Sequence, residues 1–260
     1  MIKISVVITT KNSEKYIEDF LKSMQGQQEL YEVVIVDAGS TDKTQEIIKA
    51  YAKKNKNIKL FIYPGTRPES MNYGIKMATG DAVTFIGGDD VADKNLIKEI
   101  RAGLKTADII VGKLISLTKN RFTTLQNVKV FHKGVNISYP GTNTTYKKEI
   151  LEKLGGFDPW FLSAEDLELN YRAVDAGYKI IYYEKALVYY RPRETIYAFI
   201  KQSFQYGYGR KQLALKYKKM WGRYSIRDTM KTQFSVLGIV RLTLGFIGYL
   251  FCLITVKKYK

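Results

Sequence analysis

Residues 3–10, KISVVITT, and residues 32–40, EVVIVDAGS, decide how this chain folds. Each is a continuous β-branched run with polar ends, the pattern of a strand buried on both faces of a sheet. Between them EKYIEDFLKSM (14–24) sets Tyr16, Ile17, Phe20, Leu21 and Met24 at three-to-four spacing, an amphipathic helix capped by Asn12 or Ser13. A glycine-containing loop then leads into TDKTQEIIKAYAKK (41–54), a helix with Thr41 as its cap. The alternation continues through the strand IKLFIY (58–63), the short helix SMNYGIKMAT (70–79) closed by Gly80, and the strand DAVTFIG (81–87). ADKNLIKEIRAGLK (92–105) follows as a helix and DIIVGKLISL (108–117) as a fifth strand. Strands alternating with helices of this length predict an α/β, Rossmann-like, doubly wound and mostly parallel sheet.

Such sheets bind ligands beyond the carboxyl ends of their strands. Three polar clusters fall there: Thr9-Thr10-Lys11-Asn12 after the first strand, Asp37 after the second, and Gly87-Gly88-Asp89-Asp90 after the fourth. A further acidic pair, Glu165-Asp166, opens the helical pattern that follows Gly155-Gly156-Phe157-Asp158. Asp89 and Asp90 offer hard oxygen ligands on a turn, which suits Mg²⁺ or Mn²⁺ completed by substrate phosphates. The same pair suits the N-cap and first turn of a helix. Asp37 is placed to accept hydrogen bonds from a base or ribose, or to make the turn into the next helix. Asp166 or Glu165 can serve as a general base near a phosphate, or as ordinary first-turn acids.

Composition narrows the classes. In 260 residues there is one cysteine, Cys252, and one histidine, His132, which excludes an internal disulfide framework, a multi-histidine metal site and the HExxH enzymes. The formal net charge of +17 invites a nucleic-acid reading, but the charge is unevenly placed. Residues 201–260 hold 13 Lys and Arg against the single acid Asp228, a net +12, while the first 200 residues carry 29 against 24. Those first 200 residues thus read as an ordinary globular domain rich in carboxylates, and no nucleic acid is expected as a partner.

The tail is basic from Arg210 to Lys231, apolar from Val236 to Val256, and basic again at Lys257, Lys258 and Lys260. VLGIVRLTLGFIGYLFCLITV has one charge, Arg241, placed to snorkel, and the basic-aromatic RKQLALKYKKMWGRY (210–224) precedes it. The pattern predicts membrane association over a buried core helix. Basic flanks on both sides argue against a simple span, leaving a helix pair, a re-entrant segment or an in-plane helix. Ile4–Ile8 is too short an apolar run for a secretory signal.

Four segments in order resemble the family-2 glycosyltransferases, inverting enzymes of GT-A fold that use nucleotide-sugar donors. SVVITTKNSEKYIEDFLKSM (5–24) is similar to their first strand, loop and helix, and VVIVDAGSTDKTQEII (33–48) to the nucleotide-binding V-D-D-G-S-x-D-x-T. MNYGIKMATGDAVTFIGGDD (71–90) is similar to N-x-G-x-x-x-A-x-G-D running into the metal-binding D-x-D. LGGFDPWFLSAEDLELNYRAVDAGYKI (154–180) is similar to the acceptor-side G-G-F-D…E-D. YYRPRETIYAFIKQSFQYGYGRKQ (189–212) resembles a subgroup that builds surface polysaccharides.

The resemblance implies a catalytic domain over 1–205, with a nucleotide-sugar half at 1–115 and an acceptor half at 116–205, then a membrane-associating region over 206–260. It implies a nucleotide-sugar site of Thr9, Lys11, Asp37, Arg67, Asn72, Gly88, Asp89 and Asp90, with Asp89 as ligand of a Mg²⁺ or Mn²⁺ ion. Asp166 becomes the base, with Glu165 beside it, and Gln202, Tyr206 and Arg210 a lid or acceptor platform, or else part of a linker helix. The chain departs from the family at Ala38, at Lys11 where an aromatic is common, at Gly87 in place of the first D-x-D acid, and at Tyr189-Tyr190-Arg191 in place of a histidine. A UDP-sugar donor and a glycan or lipid-linked acceptor at the cytoplasmic face of the cell membrane follow from the resemblance. A GDP-sugar and polyprenyl-phosphate synthase, or a catalytically silent GT-A scaffold, are the alternatives.

Overall fold

The computed structural model describes residues 1–120, 122, 128–218, 233–256, 258 and 259. They divide into two compact units, one of Met1–Leu117, Pro140–Phe157 and Ala176–Arg191, the other of Thr118–Tyr139, Asp158–Asp175 and Pro192–Lys260. The basic segment 219–232, with the end of RKQLALKYKKMWGRY, Lys257 and Lys260, lies outside the described residues.

The first unit is an eight-stranded sheet with helices α1 (Ile17–Gln25), α2 (Thr44–Lys54), α3 (Arg67–Met77), α4 (Leu96–Gly103) and α5 (Lys148–Leu154). Its strands are β1 (Ile4–Thr10), β2 (Glu32–Asp37), β3 (Ile58–Ile62), β4 (Ala82–Phe85), β5 (Val91–Ala92), β6 (Ile109–Ser116), β9 (Thr144–Lys147) and β10 (Ile180–Tyr190), in the spatial order β3-β2-β1-β4-β9-β6-β10-β5. β3, β2, β1 and β4 run parallel, as the sequence pattern predicts. β9 is inserted antiparallel between β4 and β6, and β5 pairs antiparallel with β10 at the edge. The fold is therefore GT-A-like: mostly parallel, with an antiparallel insertion supplied late in the chain.

Every residue of β2 is buried, which accounts for its unbroken apolar run. On one side Ile4, Val6, Ile8, Val33 and Ile35 join Phe20, Leu21 and Met24 of α1 and Ile48 of α2 in the main core. Each such large side chain removed from water contributes about 1.5–3 kcal/mol. α3 presses so closely on β1 that a Cβ at Gly74 would lie 2.4 Å from Val7 Cγ1.

The helix starts differ from the sequence expectation. α1 is preceded by a turn in which Ser13 O accepts from Tyr16 N and Ile17 N, so neither Asn12 nor Ser13 caps it through a side chain. α2 begins at Thr44 rather than Thr41, because Asp42 Oδ1 accepts from Thr44 N and Glu14 Oε2 accepts from Lys43 N. α3 begins at Arg67, ahead of the expected Ser70, through a capping box of Thr66 and Glu69 with Pro68 in the first turn. It ends at Met77 on an extended Ala78, so Gly80 does not close it.

The second unit holds the two-stranded hairpin β7 (Phe131–His132) and β8 (Val135–Asn136), α6 (Glu165–Asp175), α7 (Ile196–Tyr217) and α8 (Val236–Thr255). α7 and α8 pack on each other through glycine. A Cβ at Gly207 would fall 1.7 Å from Gly245 O, and one at Gly248 2.1 Å from Phe204 O. α8 is long and apolar enough to cross a membrane, with a mean hydropathy of 2.1, yet only 17% of that stretch is buried. Among the described residues that exposure is not that of a core helix. Arg241 does not snorkel away from the helix pair: its guanidinium stands 5.4 Å over the Tyr206 ring of α7.

Candidate functional site

In the first unit the carboxyl ends of β1 and β2 lie side by side, Thr10 opposite Asp37. The loops that follow are stitched together. Asn12 N donates to Ser40 Oγ (2.8 Å), Thr41 N to Asn12 Oδ1 (2.9 Å) and Ser13 N to Thr44 Oγ1 (2.7 Å). Asn12 takes a left-handed φ of 51°, tolerated by its short polar side chain. Asp37 is fully buried. Its Oδ1 accepts from Gly39 N (3.1 Å), Ser40 N (2.8 Å) and Gln45 Nε2 (2.7 Å), and its Oδ2 from Ser40 Oγ. Asp37 thus shapes the loop through a turn of its own, the second of the two roles open to it from sequence.

Thr9 is half-buried and Lys11 exposed at the end of β1. Thr10, between them, is buried, and its Oγ1 has no hydrogen-bond partner among the described residues. This hydroxyl lies 3.4 Å from where a Cβ on Gly88 would stand. A buried, unpaired hydroxyl at a strand's carboxyl end is a group awaiting a ligand atom or a water.

Gly87-Gly88-Asp89-Asp90 form a tight turn closed by Asp90 N donating to Gly87 O (3.1 Å). α4 starts only at Leu96, so the acid pair is not its cap. Asp90 is buried and accepts through Oδ2 from Gly87 N (3.0 Å) and Thr142 Oγ1 (2.7 Å). Burial, joined by the charge of Asp89, pushes the Asp90 carboxyl up to about 6. Asp89 is half-exposed beside it. A Cβ at Gly87 would lie 2.7 Å from Asp90 Oδ2 and 2.9 Å from Asp89 Oδ1, so the two carboxylates converge on the space that an aspartate at 87 would fill. Among the described residues neither acid forms an ion pair, and no group of three His, Cys, Asp or Glu converges on one point. Two converging carboxylate oxygens without a countercharge fit a hard divalent cation that substrate oxygens complete.

Arg67 is exposed at the start of α3. Asn72 has a different task from the phosphate or sugar contact expected of it. Its Nδ2 donates to Phe157 O (2.7 Å) and its Oδ1 accepts from Phe157 N (2.8 Å). Gly156, at φ 69°, permits this approach, since a Cβ there would meet Asn72 Oδ1 at 2.4 Å. The N-x-G and G-G-F segments are thereby clamped together.

In the second unit Glu165 and Asp166 occupy the first turn of α6, where the helix dipole favours negative charge. Glu165 is buried, and Asp166 is half-exposed with its Oδ1 accepting from Leu167 N (2.7 Å). Ala164, just ahead, holds a φ of 68°, a left-handed strain for a residue with a Cβ. Gln212 of α7 braces this segment, its Nε2 donating to Trp160 O (2.6 Å) and its Oε1 accepting from Leu162 N (3.0 Å). Gly209 lets α7 approach, since a Cβ there would lie 2.5 Å from Ser163 O. Gln202, Tyr206 and Arg210 fall at four-residue spacing along one stripe of α7, all half-buried.

One turn beyond the acid pair, Glu168 is fully buried. It accepts from Arg172 Nε (2.8 Å), Lys216 Nζ (2.7 Å) and Tyr217 Oη (2.6 Å). Lys216 Nζ also donates to Asp158 Oδ2 (2.6 Å), and Tyr259 Oη reaches the same oxygen (2.7 Å). Sequence reasoning missed Glu168, Lys216 and Gln212, whose only signal is polarity on the packed face of a helix. It also missed Thr142, which no motif marks.

The comparisons bear on this arrangement. The chain matches the model of "Glycosyl transferase family 2" over residues 5–158 and that of "Glycosyl transferase family group 2" over 82–256. It is 28% identical over 242 residues to a probable glycosyltransferase, YdaM, of Bacillus subtilis, 83% of this chain but 57% of that protein. It is also 28% identical over 229 residues to a Methanococcus voltae dolichyl N-acetyl-α-D-glucosaminyl phosphate 3-β-glucuronosyltransferase acting with a diacetamido sugar, 78% of this chain and 71% of that one. In structure it resembles Staphylococcus aureus TarS 1-349 in complex with UDP-GlcNAc, with a TM-score of 0.63 at 21% identity, covering 95% of this chain and 81% of that one. It likewise resembles a Pyrobaculum calidifontis mannosyltransferase in complex with GDP-Man and Mn²⁺, with a TM-score of 0.64 at 17% identity, covering 98% and 75%. With the sheet order, the turn of Asp89-Asp90 and a family model spanning more than half its length in agreement, the chain belongs to glycosyl transferase family 2.

Proposed function

We propose that the chain transfers a sugar, with inversion, from a nucleotide-diphosphate sugar to a hydroxyl or phosphate of a glycan or lipid-linked acceptor at the cytoplasmic face of a membrane. The observation that carries this reading is the grouping in the first unit of Thr10, Asp37 and the Asp89-Asp90 turn at the carboxyl ends of β1, β2 and β4. UDP-GlcNAc on the TarS neighbour favours a UDP-sugar, and the dolichyl-linked substrate of the Methanococcus relative favours a lipid-linked acceptor.

In this reading the β1 and β2 loops receive the nucleoside, with Thr9, Thr10 and Lys11 lining it and Asp37 holding the loop in shape. Asp89 and Asp90 hold a Mg²⁺ or Mn²⁺ ion, which when bound supplies electrostatic stabilisation of the departing diphosphate. Asp166 removes the acceptor proton as the new bond forms, and Glu165 sets the local charge beside it. A single carboxylate base with no carboxylate nucleophile is what a one-step inversion requires. Gln202, Tyr206 and Arg210 of α7 serve as a lid or acceptor platform.

The test is a melting-temperature series with UDP, GDP and their sugars, with and without Mn²⁺ or Mg²⁺, followed by measurement of released nucleoside diphosphate. A ligand that binds only the folded state raises the melting temperature, so UDP with metal is expected to do so and GDP to do so less. Absence of any nucleotide-dependent shift, together with no nucleotide release, would leave only the silent-scaffold reading.

A further inference from the structure

α8 presents one face to α7 and leaves the other exposed among the described residues. The packed face carries Gly245, Gly248 and Cys252, and also Arg241, the sole charge of the helix. The outer face carries Ile239, Leu242, Phe246, Ile247, Leu250, Leu253 and Ile254, each 45–77% exposed apart from Leu250 at 40%. It is a charge-free strip about 24 Å long.

α8 packs closely along α7. Phe204 meets Gly248, Gly207 meets Gly245, Lys211 lies over the Tyr249 ring at 5.1 Å, and beyond the helix ends Lys216 lies over the Tyr259 ring at 4.7 Å. The residues just past the end of α8 thus lie at the end of α7. The chain after α8 is tied back to the body of its unit: Tyr259 Oη donates to Asp158 Oδ2 and its ring meets Trp160 edge-on at 4.9 Å. The chain just beyond α8 thus sits at the cluster of Asp158, Lys216 and buried Glu168, while the flank of α8 lies on an α7 that also braces residues 160–164. Were α8 to cross a bilayer, α7 packed along its flank would have to cross with it, carrying Lys201, Arg210 and Lys211 into hydrocarbon where charge is strongly disfavoured.

We infer that α8 docks flat on an anionic bilayer surface, its outer strip sunk to the depth of the headgroup–acyl boundary and both its ends on one side. This rests on the membrane-surface part of the function proposed above and states its geometry. The bilayer, rather than a second copy of the chain, is favoured by charge: residues 201–260 carry a net +12, and Lys201, Lys218 and Lys258 are exposed. That charge draws the strip to anionic lipid and repels an identical strip.

The test uses the full chain with Cys252→Ala, carrying either Lys258→Cys or Lys49→Cys, bound to the outside of sealed phosphatidylcholine–phosphatidylglycerol vesicles. Both cysteines are expected to react with a membrane-impermeant maleimide to the same extent, before and after permeabilisation. Binding is expected to fall about tenfold or more on pure phosphatidylcholine. It is expected to fall at least as far in a Phe246→Glu, Leu250→Glu double variant, whose melting temperature stays unchanged because both positions are exposed. Labelling of Lys258→Cys only after permeabilisation, with Lys49→Cys reactive throughout, would overturn the flat geometry and leave membrane association standing. Failure of the chain to bind either vesicle, with dimers in solution, would overturn the membrane reading itself.

Discussion

Two acidic clusters, one in each unit, are treated in opposite ways. Asp90 is buried beside Asp89 with a hydroxyl and backbone amides for company, and burial with its neighbour's charge pushes its carboxyl up to about 6. Glu168 is buried more completely. Burial pushes its carboxyl upward too, yet Arg172, Lys216 and Tyr217 together hold it below the ordinary carboxylate range. Lys216 is held above the usual lysine range by Asp158 and Glu168 despite the opposing effect of burial. A buried acid with its countercharge built in is a structural joint. One whose countercharge is missing has the chemistry of a cation ligand, the role proposed for it here.

The sharpest way to test that division uses Asp166, which belongs to neither cluster. Asp166→Asn is expected to lower transfer by about 10²–10⁴-fold while leaving nucleotide-sugar binding intact, as measured by single-turnover kinetics beside a thermal shift. Donor turnover at the unsubstituted rate would remove Asp166 from the base role.

Breaking the compensated cluster comes next. Glu168→Gln is expected to destabilise the protein by about 1.5–3 kcal/mol, because half-buried Arg172 loses its charged partner and Lys216 keeps only Asp158. The pH dependence follows from the sign of the shift. A carboxylate held below its ordinary value contributes stability that is fully present above about pH 4.5 and lost as pH falls through the lowered value. Chemical denaturation of the unsubstituted protein should therefore weaken from pH 5 to 3, and the variant should lose this part of the slope.

Asp90 should behave in the opposite sense. Its carboxyl lies above the ordinary 3.8, so in metal-free protein its ionisation penalises the folded state fully above about pH 6 and not at all below 3.8. Asp90→Asn is expected to stabilise metal-free protein at pH 8 by up to about 3 kcal/mol, and to change little at pH 3.5. Mg²⁺ or Mn²⁺ should raise the melting temperature of the unsubstituted protein and not that of the variant. Equal stability of the two at pH 8 would put Asp90 among the compensated acids.

The smallest effect is expected at Thr10. Its unpartnered hydroxyl contributes nothing to the fold, so Thr10→Val should leave stability within about 0.5 kcal/mol or raise it. If the hydroxyl meets the nucleotide, the same change weakens donor affinity several-fold in an equilibrium titration. An unchanged affinity would make it a packing residue.

Much of this was legible in the order of residues. The parallel core β3-β2-β1-β4 follows from β-branched runs separated by amphipathic helices, because a strand buried on both faces leaves no polar position to interrupt it. The motifs after β1, β2 and β4 were found because ligand groups gather at strand ends. Helix starts were misplaced because Asp42, Glu14 and Thr66 with Glu69 supply caps that single-position rules assign to Thr41, Asn12 or Ser70.

By itself, then, the sequence determined the fold class, the family and the separation of a near-neutral domain from a basic, apolar tail. The fold class and the tail are set by local periodicity and composition, and the family by the resemblance of four ordered motifs. Only the tertiary structure decided that β9 enters the sheet antiparallel, that Asn72 clamps Phe157, that Asp37 spends its oxygens on its own loop, and that Glu168 is neutralised while Asp90 is not. Apart from the Asp37 turn, whose partners lie two to eight residues away, these depend on partners dozens of residues apart, and whether a buried charge meets an opposite one is decided by packing, which no local pattern records.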